Sequence, residues 1–387
     1  MNKYLMTPGP VPISTRVSLA EARPLIGHRG AEFSTLFKNI EEKLGRLLRS
    51  KGRTVIFPSS GTGALESLAV NFAGPDTQVI SVSCGVFGDR FREIIALTGA
   101  KMINVDVPPG EGVSPEAVAS AVASSPDAAL LLLTQNETST GVFNHIDEIV
   151  ASLPKDKRPL VLVDGVSAVG AMPCYPEVWG IDGLATASQK GLLTPPGLGL
   201  VWLSQRAWDH VSHRKCLSYY FDLAQQKKYL DKDAPENPYT PPVSLFTALD
   251  AALDEILSNE GWFDLRARAA HSLAAGIEAL GFELLVKDQR FRSPGVTAFF
   301  YPSDETSLNE IPSGKTSAVT KALAAMGVDV AGGQGQFKGN LIRMSHYHDV
   351  RWPEISLALG SLYAALGNAR EQAGDFMARA LEKWEEK

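Results

Sequence analysis

The sequence predicts an α/β protein, with a large domain whose mostly parallel sheet lies between helices and a smaller C-terminal α/β domain. Two observations support this fold class. Short β-rich runs alternate with helical stretches between residues 54 and 203, and two of those runs, 129–133 and 160–163, are entirely aliphatic. Alternation indicates parallel strands joined by helical crossovers, and aliphatic strands are typical of a sheet covered on both faces. Such sheets bind ligands at the carboxyl ends of their strands.

The elements of the large domain can be predicted in chain order. Prolines at positions 8, 10 and 12 favour an extended opening segment. Hydrophobic periodicity and composition predict helices at 31–49, 63–72, 87–98 and 115–123. Strands are expected at 54–57, 78–82, 101–107, 128–134, 160–163, 183–187 and 198–203. Ser114 is the predicted N-cap of the helix that starts with Pro115.

The second half of the chain contains a polar segment and then a smaller set of elements. After Trp208 the lysine-rich sequence up to Pro242 predicts a loop that crosses between parts of the molecule or between subunits. The elements expected beyond it are helices at 244–257, 262–280 and 315–326, strands at 282–286, 296–301 and 341–345, and two closing helices. We therefore divide the chain into an extended segment 1–15, a large domain 16–257 and a small domain 258–387.

Composition limits the function classes. The formal net charge is -6, and neither acidic nor basic residues form blocks, which argues against nucleic-acid binding and against a polybasic membrane anchor. No apolar run is long enough for a signal peptide or a membrane span, so we expect a cytoplasmic protein. Cys84, Cys174 and Cys216 are widely spaced, which predicts neither a disulfide framework nor a metal site.

One lysine is the centre of the predicted site. Lys190 follows the strand 183–187 and precedes a Pro-Pro-Gly turn, with small and weakly polar residues on either side. Burial disfavours the ammonium form and lowers the pKa of a lysine, so such an amine can form a Schiff base near neutral pH. A lone lysine beside a turn is more often a surface residue. The catalytic interpretation therefore depends on partners elsewhere in the chain.

Three candidate partners follow other strands. Asp164 ends the strand 160–163, where a carboxylate at the rim of a buried sheet needs a cation or hydrogen-bond donors, and a pyridinium nitrogen would serve. Helix capping is the common alternative role for such an aspartate. Val166 could lie against a planar ring, and Phe87, between two glycines, could stack on the other face. Each of these apolar side chains would be an ordinary core residue if it stood alone.

Small polar residues at two further strand ends complete the pattern. Ser59 to Glu66 follows a strand and opens a helix, so Ser60, Gly61 and Thr62 could bind an anion at the helix N-terminus. An ordinary glycine-rich turn with a capping serine is an equal alternative. Asn136 to Gly141, which includes Thr138, places small donors at the same edge of the sheet.

Taken together, these stretches resemble the pyridoxal-phosphate enzymes of fold type I, and within them the class V aminotransferases. The likeness is greatest to the alanine-glyoxylate, serine-glyoxylate and serine-pyruvate group, which includes proteins called soluble hydrogenase small subunits. It extends from Thr7-Pro8-Gly9-Pro10 to Arg343. Its most specific motifs are Ser188-Gln189-Lys190 with Pro195-Pro196-Gly197, and Glu137 to Gly141.

The resemblance implies roles for individual residues. Lys190 would hold pyridoxal phosphate covalently, Asp164 would pair with its pyridinium nitrogen, and Phe87 would stack on its ring. The other cofactor contacts would be Ser60, Gly61, Thr62, Thr138, Val166, Gln189 and Thr240. Thr240 matches a phosphate contact from a neighbouring subunit, which implies a homodimer with shared sites. Arg343 would bind the substrate carboxylate, and Gly9 would also lie at the substrate.

Two departures from the family pattern concern the phosphate and the substrate. Asn237 stands where the alanine-glyoxylate branch has a tyrosine, and Tyr239 immediately precedes Thr240. After Arg343, several relatives have a glycine-rich sequence, whereas this chain has Met344-Ser345-His346-Tyr347-His348. Polar rings are therefore expected near the substrate arginine.

We expect a transaminase that moves an amino group from alanine or serine to glyoxylate or pyruvate. Aspartate or 2-aminoethylphosphonate becomes the alternative donor if the His28-Arg29 pair enters the site. A cysteine desulfurase or another lyase of this fold is disfavoured, because Gln189 replaces the histidine of those enzymes and no cysteine follows Cys216. A non-catalytic subunit of a redox complex has no support from a CxxC or iron-sulfur spacing.

Overall fold

The computed structural model describes residues 4–154, 158–301, 313–366 and 375–386. Its strands are, in chain order, β1 (Tyr4–Leu5), β2 (Thr54–Pro58), β3 (Gln78–Ser83), β4 (Lys101–Asp106), β5 (Leu130–Thr134), β6 (Asn136–Glu137), β7 (Val142–Phe143), β8 (Leu160–Asp164), β9 (Gly183–Ala187), β10 (Leu198–Leu203), β11 (Glu283–Leu284), β12 (Val296–Phe300), β13 (Val328–Asp329), β14 (Ala331–Gly332) and β15 (Leu341–Ser345).

The α-helices are, in the same order, α1 (Thr15–Glu21), α2 (Ala31–Leu48), α3 (Gly61–Phe72), α4 (Val86–Ala96), α5 (Pro115–Ala123), α6 (Ile146–Ala151), α7 (Pro176–Trp179), α8 (Gln205–Ser212), α9 (Leu223–Leu230), α10 (Val243–Ser258), α11 (Trp262–Ala279), α12 (Ser313–Ala325), α13 (Trp352–Ala365) and α14 (Phe376–Glu385). Short 3₁₀ turns lie at Gln289–Phe291 and Gly335–Phe337. Within the described ranges, no helix has the length and apolar character needed to cross a membrane.

A mostly parallel sheet organises the first two thirds of the described chain, as the alternating pattern predicts. Its seven strands have the order β2-β10-β9-β8-β5-β3-β4. Strands β9, β8, β5, β3 and β4 pair in parallel, whereas β10 pairs antiparallel with β2 and β9. Every residue of β5 and β8 is buried, because helices cover both faces of the sheet. The carboxyl ends of these strands bring Thr134 and Asp164 into register at one edge.

A second sheet forms in the C-terminal third, with the antiparallel order β11-β12-β15-β14. Its core is a separate apolar cluster that includes side chains of α11 and α13. Strand β1 pairs with β13, and the amide of Ser345 donates to the carbonyl of Met6 at 2.7 Å. The opening segment is therefore bound to this C-terminal part. The domain boundaries at residues 15 and 257 stay a prediction.

Local capping chemistry explains where several helices begin. The predicted N-cap Ser114 is confirmed, since its hydroxyl accepts a hydrogen bond from the Ala117 amide at 3.2 Å. The predicted loop after Trp208 is wrong in part, because it contains helix α9. That helix begins after Asp222, whose carboxylate accepts from the Gln225 amide at 3.0 Å. Its apolar face is too narrow to be recognised in a lysine-rich sequence, and tertiary packing decides its structure.

Candidate active site

Lys190 lies in a tight turn between β9 and β10. The hydroxyl of Ser188 closes this turn by donating to the carbonyl of Pro195 at 2.7 Å and accepting from the Leu198 amide at 3.2 Å. The Lys190 ammonium donates to the carbonyl of Pro8 in the opening segment. Burial lowers the pKa of Lys190 to about 8, and the positive charges of Arg343 and Arg90 act in the same direction. The amine can thus lose its proton close to neutral pH.

Asp164 lies at the end of β8, on the strand next to the one that leads to Lys190. Only 5% of its surface is exposed, and its Oδ1 accepts a hydrogen bond from the Val166 amide at 2.9 Å. Burial raises the pKa of Asp164 to about 7, and the charge of Glu137 adds to the increase, while Lys190 and Arg90 oppose it. A further cation bound to the Asp164 carboxyl would stabilise its anionic form and lower its pKa.

The start of α3 combines a helix cap with backbone amides that could bind an anion. Ser60 is the N-cap of α3, and its Oγ accepts from the Gly63 amide at 3.4 Å. The residues Ser60 and Thr62 are nevertheless exposed to solvent. Gly61 is buried beside Val166, where a Cβ on the glycine would lie 2.8 Å from both valine methyl groups. A side chain at position 61 would therefore displace either the first turn of α3 or Val166.

Glu137 holds the N-terminus of α4, which carries Phe87. One carboxylate oxygen accepts from the amides of Phe87 and Gly88, both at 3.0 Å. The other accepts from the amide and the hydroxyl of Ser139 at 3.0 and 2.6 Å. Glu137 is completely buried, and burial raises its pKa. Sequence reasoning treated this residue only as part of a motif, although an acid among small residues at a strand end was the available signal.

Arg343 connects the two sheets. It lies on β15, is 5% exposed, and donates through Nε to the carbonyl of Gly332 at 2.9 Å and through Nη1 to that of Thr138 at 3.0 Å. The Thr138 hydroxyl in turn donates to the Ser167 hydroxyl at 2.8 Å. Within the described residues, Arg343 Nη2 makes no hydrogen bond. The guanidinium is thus oriented by carbonyl groups and keeps donors for a ligand.

The opening segment crosses the site directly beside the lysine. Gly9 has a φ of 136°, and a Cβ there would lie 2.6 Å from Lys190 Nζ. The Val11 amide donates to the carbonyl of Gln189 at 3.3 Å, which fixes the segment against the lysine turn. The Oε1 atom of Gln189 is buried and lacks a hydrogen-bond partner among the described residues.

Arg90 is a site residue that sequence reasoning missed. Its guanidinium carbon lies 4.9 Å from the centre of the Phe87 ring. Its charge contributes to the pKa shifts of both Lys190 and Asp164, so it lies close to both groups. The available signal was its position one helical turn after Phe87, on the same face of α4.

Other predicted or suspected residues lie outside this group. Thr240 is exposed, and no hydrogen bond in the described part of the chain joins it to the site. The Arg29 guanidinium pairs with Glu236 at 2.8 Å and donates to the carbonyls of Asn237 and Pro238. Arg29 thus fixes the segment that precedes Thr240, and it is engaged by its own chain rather than available to the site.

The two histidines after Arg343 are structural. His346 is completely buried between the Thr297 hydroxyl at 3.1 Å and the Pro294 carbonyl at 2.7 Å. Burial lowers its pKa to about 3. His348 lies 2.8 Å from the Tyr4 hydroxyl, and burial lowers its pKa to about 4. Both rings are neutral at physiological pH and are bonded within the fold.

Comparisons with known proteins identify the family. The family model described as aminotransferase class-V matches residues 17–344. An uncharacterized aminotransferase from Methanocaldococcus jannaschii is 34% identical over 371 residues, which cover 95% of this chain and 93% of that protein. A serine-glyoxylate aminotransferase from Hyphomicrobium methylovorum is 30% identical, with coverage of 94% and 88%. The crystal structure of an aspartate aminotransferase from Thermus thermophilus superposes with a TM-score of 0.84 at 33% identity, with coverage of 94% and 99%. The chain therefore belongs to the class V aminotransferases and is an enzyme of fold type I.

Proposed function

We propose that this enzyme is a pyridoxal-phosphate-dependent transaminase that moves an amino group from a small amino acid to a small 2-oxo acid. The observation that carries the proposal is the proximity of three groups. An amine with a pKa near neutrality, Lys190, lies close to a buried carboxyl, Asp164, and to a guanidinium with free donors, Arg343. These groups can form a covalent link, stabilise a pyridinium and bind a carboxylate.

The residues present fit the cofactor. The α3 N-terminus offers backbone amides and exposed hydroxyl groups to a phosphate. Asp164 would pair with the ring nitrogen, and Phe87 and Val166 would flank the ring. We propose that the phosphate and ring edge are held by Ser60, Gly61, Thr62, Thr138, Gln189 and, from a second subunit, Thr240. When bound, pyridoxal phosphate supplies an electron-withdrawing ring that stabilises negative charge on the substrate carbon.

The protein's own groups supply proton transfer and orientation. With a pKa of about 8, Lys190 can accept a proton from a substrate carbon and return it to another atom. Arg343 has the planar fork of donors that suits a carboxylate, and its Nε and Nη1 bonds fix the plane of that fork. The Pro8 and Gly9 backbone covers the lysine and limits access of water.

A covalent-labelling experiment tests the cofactor assignment. Purified enzyme should be yellow, and borohydride reduction should attach the cofactor mass to a single peptide that contains Lys190. Lys190→Ala should abolish this attachment, whereas Lys38→Ala, a change at an exposed lysine of α2, should leave it intact. Protein that stays colourless after incubation with pyridoxal phosphate would refute the assignment.

We propose alanine or serine as donor, with glyoxylate or pyruvate as acceptor, because Arg343 is the one cationic side chain of β15 and lies between Ile342 and Met344. Aspartate is the second candidate donor. Arg90 gives the site another positive charge, and the relative from Thermus thermophilus is named as an aspartate aminotransferase. The engagement of Arg29 with Glu236 weakens the case for that residue as the binder of a second acidic group.

A half-reaction screen decides between these donors. Each amino acid is added without an acceptor, and loss of the visible cofactor band is followed. Rapid bleaching by alanine or serine supports the proposal, and bleaching by aspartate or 2-aminoethylphosphonate alone would replace it with the second candidate. Arg343→Ala should raise the donor concentration needed by about a hundredfold, as expected for a lost charge-assisted carboxylate contact, while the cofactor stays bound.

We also propose that the enzyme is a homodimer with shared sites and that it is cytoplasmic. The first proposal is supported by the exposure of Thr240 and by the absence, among the described residues, of any hydrogen bond from it to its own chain's site. We propose the division into an extended segment 1–15, a large cofactor-binding domain 16–257 and a small domain 258–387.

A further inference from the structure

Tyr347 is completely buried, and its hydroxyl group joins a hydrogen-bond network behind the site. The Asn136 side-chain amide donates to the Tyr347 hydroxyl at 2.9 Å and to the Ser167 hydroxyl at 2.9 Å. Ser167 donates to the Asn136 carbonyl at 2.9 Å and accepts from Thr138 at 2.8 Å. We call residues 136, 138, 167 and 347 the Tyr347 network. The network ends at Thr138, whose carbonyl accepts a hydrogen bond from Arg343.

The ring of Tyr347 is held from two further sides. A Cβ on Gly295 would lie 2.1 Å from the ring, so the glycine leaves the space that the ring fills. The backbone carbonyl of Tyr347 accepts from Nε of Arg266 at 2.8 Å. Arg266 is itself 1% exposed, and its guanidinium lies over the ring of Trp262 in the first turn of α11. The first turns of α11 thus hold the backbone of Tyr347 in place.

Packing alone does not require this hydroxyl. A phenylalanine would fill the same volume without a polar atom in the core, where an oxygen is unfavourable unless it is hydrogen-bonded. The hydroxyl joins β15's exit to the loops that follow β5 and β8, which carry Thr138 and Ser167. The loop after β8 begins at Asp164. The loop after β5 contacts Arg343 through the carbonyl of Thr138.

We propose that Tyr347 is a positioning residue that sets the affinity of the substrate-carboxylate site through Thr138 and Arg343. The Thr138 carbonyl fixes Nη1 of Arg343 and so determines where the remaining donors point. The network restrains Thr138 through its hydroxyl bond to Ser167. Loss of the tyrosine hydroxyl removes one of the two acceptors of the Asn136 amide, leaves its bond to Ser167, and loosens this restraint. The proposal rests on the carboxylate-binding role of Arg343 put forward above.

Equilibrium binding of propionate, an unreactive monocarboxylate, measures the effect without turnover. Calorimetric titration of the Tyr347→Phe holoenzyme should give a Kd about tenfold higher than that of the parent enzyme, as expected for loss of one buried hydrogen bond. In steady-state assays KM for the donor should rise by a similar factor, and kcat and the cofactor spectrum should change little. An unchanged Kd would overturn the proposal.

Ser272→Ala is the matched control for a general loss of stability. The Ser272 hydroxyl is equally buried and donates to the Ala380 carbonyl at 2.7 Å, but it lies in the packing of α11 against α14. Its removal should lower the melting temperature without changing Kd for propionate. Ser167→Ala removes the hydroxyl that bonds with Asn136 and Thr138, and it should raise Kd as Tyr347→Phe does. It therefore tests the proposal even if the tyrosine variant does not fold.

A double-mutant cycle with Arg343→Lys shows whether the effect passes through the arginine. In the lysine background, Tyr347→Phe should have little further effect on Kd, because the oriented fork is already lost. A full tenfold effect in that background would refute the positioning route. An Arg343→Lys enzyme that binds propionate as tightly as the parent would instead remove the carboxylate role of Arg343, and the inference would fall with it.

Discussion

Two ionisable groups of the site have pKa values displaced toward each other by burial. The pKa of Lys190 falls to about 8 and that of Asp164 rises to about 7. Each group is costly to bury in its charged form, and each partly stabilises the charge on the other. A bound pyridinium would restore the negative charge on Asp164, so cofactor binding and protein stability should be coupled through this residue.

The first residue-level prediction concerns the pH dependence of the cofactor-free protein. The pKa of Asp164 is about 7 in the folded chain, whereas that of an ordinary aspartate, as in the unfolded chain, is 3.8. The folded chain therefore binds the proton more tightly. This contribution to stability is present below the unfolded pKa and is lost as pH rises through the folded pKa. The unfolding free energy of the parent should thus fall as the pH rises from 3.8 to about 7. Asp164→Asn should show a smaller fall over the same range, as measured by urea denaturation.

The control for this experiment is Asp127→Asn, at an exposed aspartate, which should leave the pH dependence as it is. If the slopes of the parent and Asp164→Asn proteins coincide, the Asp164 carboxyl titrates as an ordinary aspartate, and the expected coupling between cofactor binding and stability through this residue is refuted.

The second residue-level prediction uses two glycines of the N-terminal region. Gly9→Ala places a methyl group where only 2.6 Å separates it from Lys190 Nζ, and it also requires a φ of 136° that alanine rarely adopts. Covalent attachment of the cofactor should slow at least tenfold, as followed by the rise of the visible band. Gly27→Ala, with no atom within 4 Å of the new methyl group, is the control and should behave as the parent. Equal rates for Gly9→Ala and the parent would show that the opening segment does not restrict the lysine.

At the level of elements, the first turn of helix α4 depends on Glu137, which lies on strand β6. Gly85, its N-cap, has no side chain to satisfy the free amides, and Glu137 accepts from two of them. A carboxylate at a helix N-terminus also complements the helix dipole. The same contact sets the position of Phe87, so the stability of the helix and the proposed stacking of Phe87 on the cofactor ring would have a common cause.

Replacing Glu137 should therefore affect both stability and cofactor retention. Glu137→Ala leaves the amides of Phe87 and Gly88 without their acceptor in the core, and we expect a loss of about 3 kcal/mol in unfolding free energy. Dialysis should remove the cofactor faster than from the parent. Glu116→Ala, which removes an exposed acid from the first turn of α5, is the control and should change stability much less. A Glu137→Ala protein as stable as the parent would contradict this account of the helix.

At the scale of the whole molecule, the site is assembled from the edge of the parallel sheet, the smaller sheet and the opening segment. Arg343 comes from β15, Lys190 from the turn after β9, and Pro8 from the segment that β1 ties to β13. Thr240 is exposed, and the preceding Asn237 donates to the Ile56 carbonyl of β2 at 2.7 Å. The role of Thr240 at a phosphate is proposed to come from a second copy of the chain.

Subunit mixing tests this shared site. In a dimer of one Lys190→Ala chain and one Thr240→Val chain, the shared arrangement puts both changes in one site and leaves the other site intact. Co-expressed, differently tagged chains should thus recover up to half of the parent activity at limiting cofactor concentration. If Thr240 served its own chain, neither site would be intact, and the mixture would show only the activity of the Thr240→Val protein. Activity retained by a monomer at low micromolar concentration would also refute the dimer.

Local sequence chemistry determined the large domain's framework. Aliphatic runs specify β5 and β8, and Ser114 with Pro115 specifies the start of α5, because these signals act over a few neighbouring residues. The site's lysine and aspartate could be predicted for the same reason, since strand ends of a parallel sheet meet at one edge. The choice between catalytic and ordinary roles for them came from their combination, and from the family resemblance.

Tertiary structure alone decided which groups contact one another across long sequence separations. The carbonyl of Thr138 meets Arg343, the carbonyl of Pro8 meets Lys190, and Tyr347 meets Asn136, each through packing of segments far apart in the chain. It also bonded His346 and His348 within the fold, placed the Arg90 guanidinium over the Phe87 ring, and paired Arg29 with Glu236. No local pattern encodes these outcomes, because burial and hydrogen-bond satisfaction depend on what every other element contributes to the same volume.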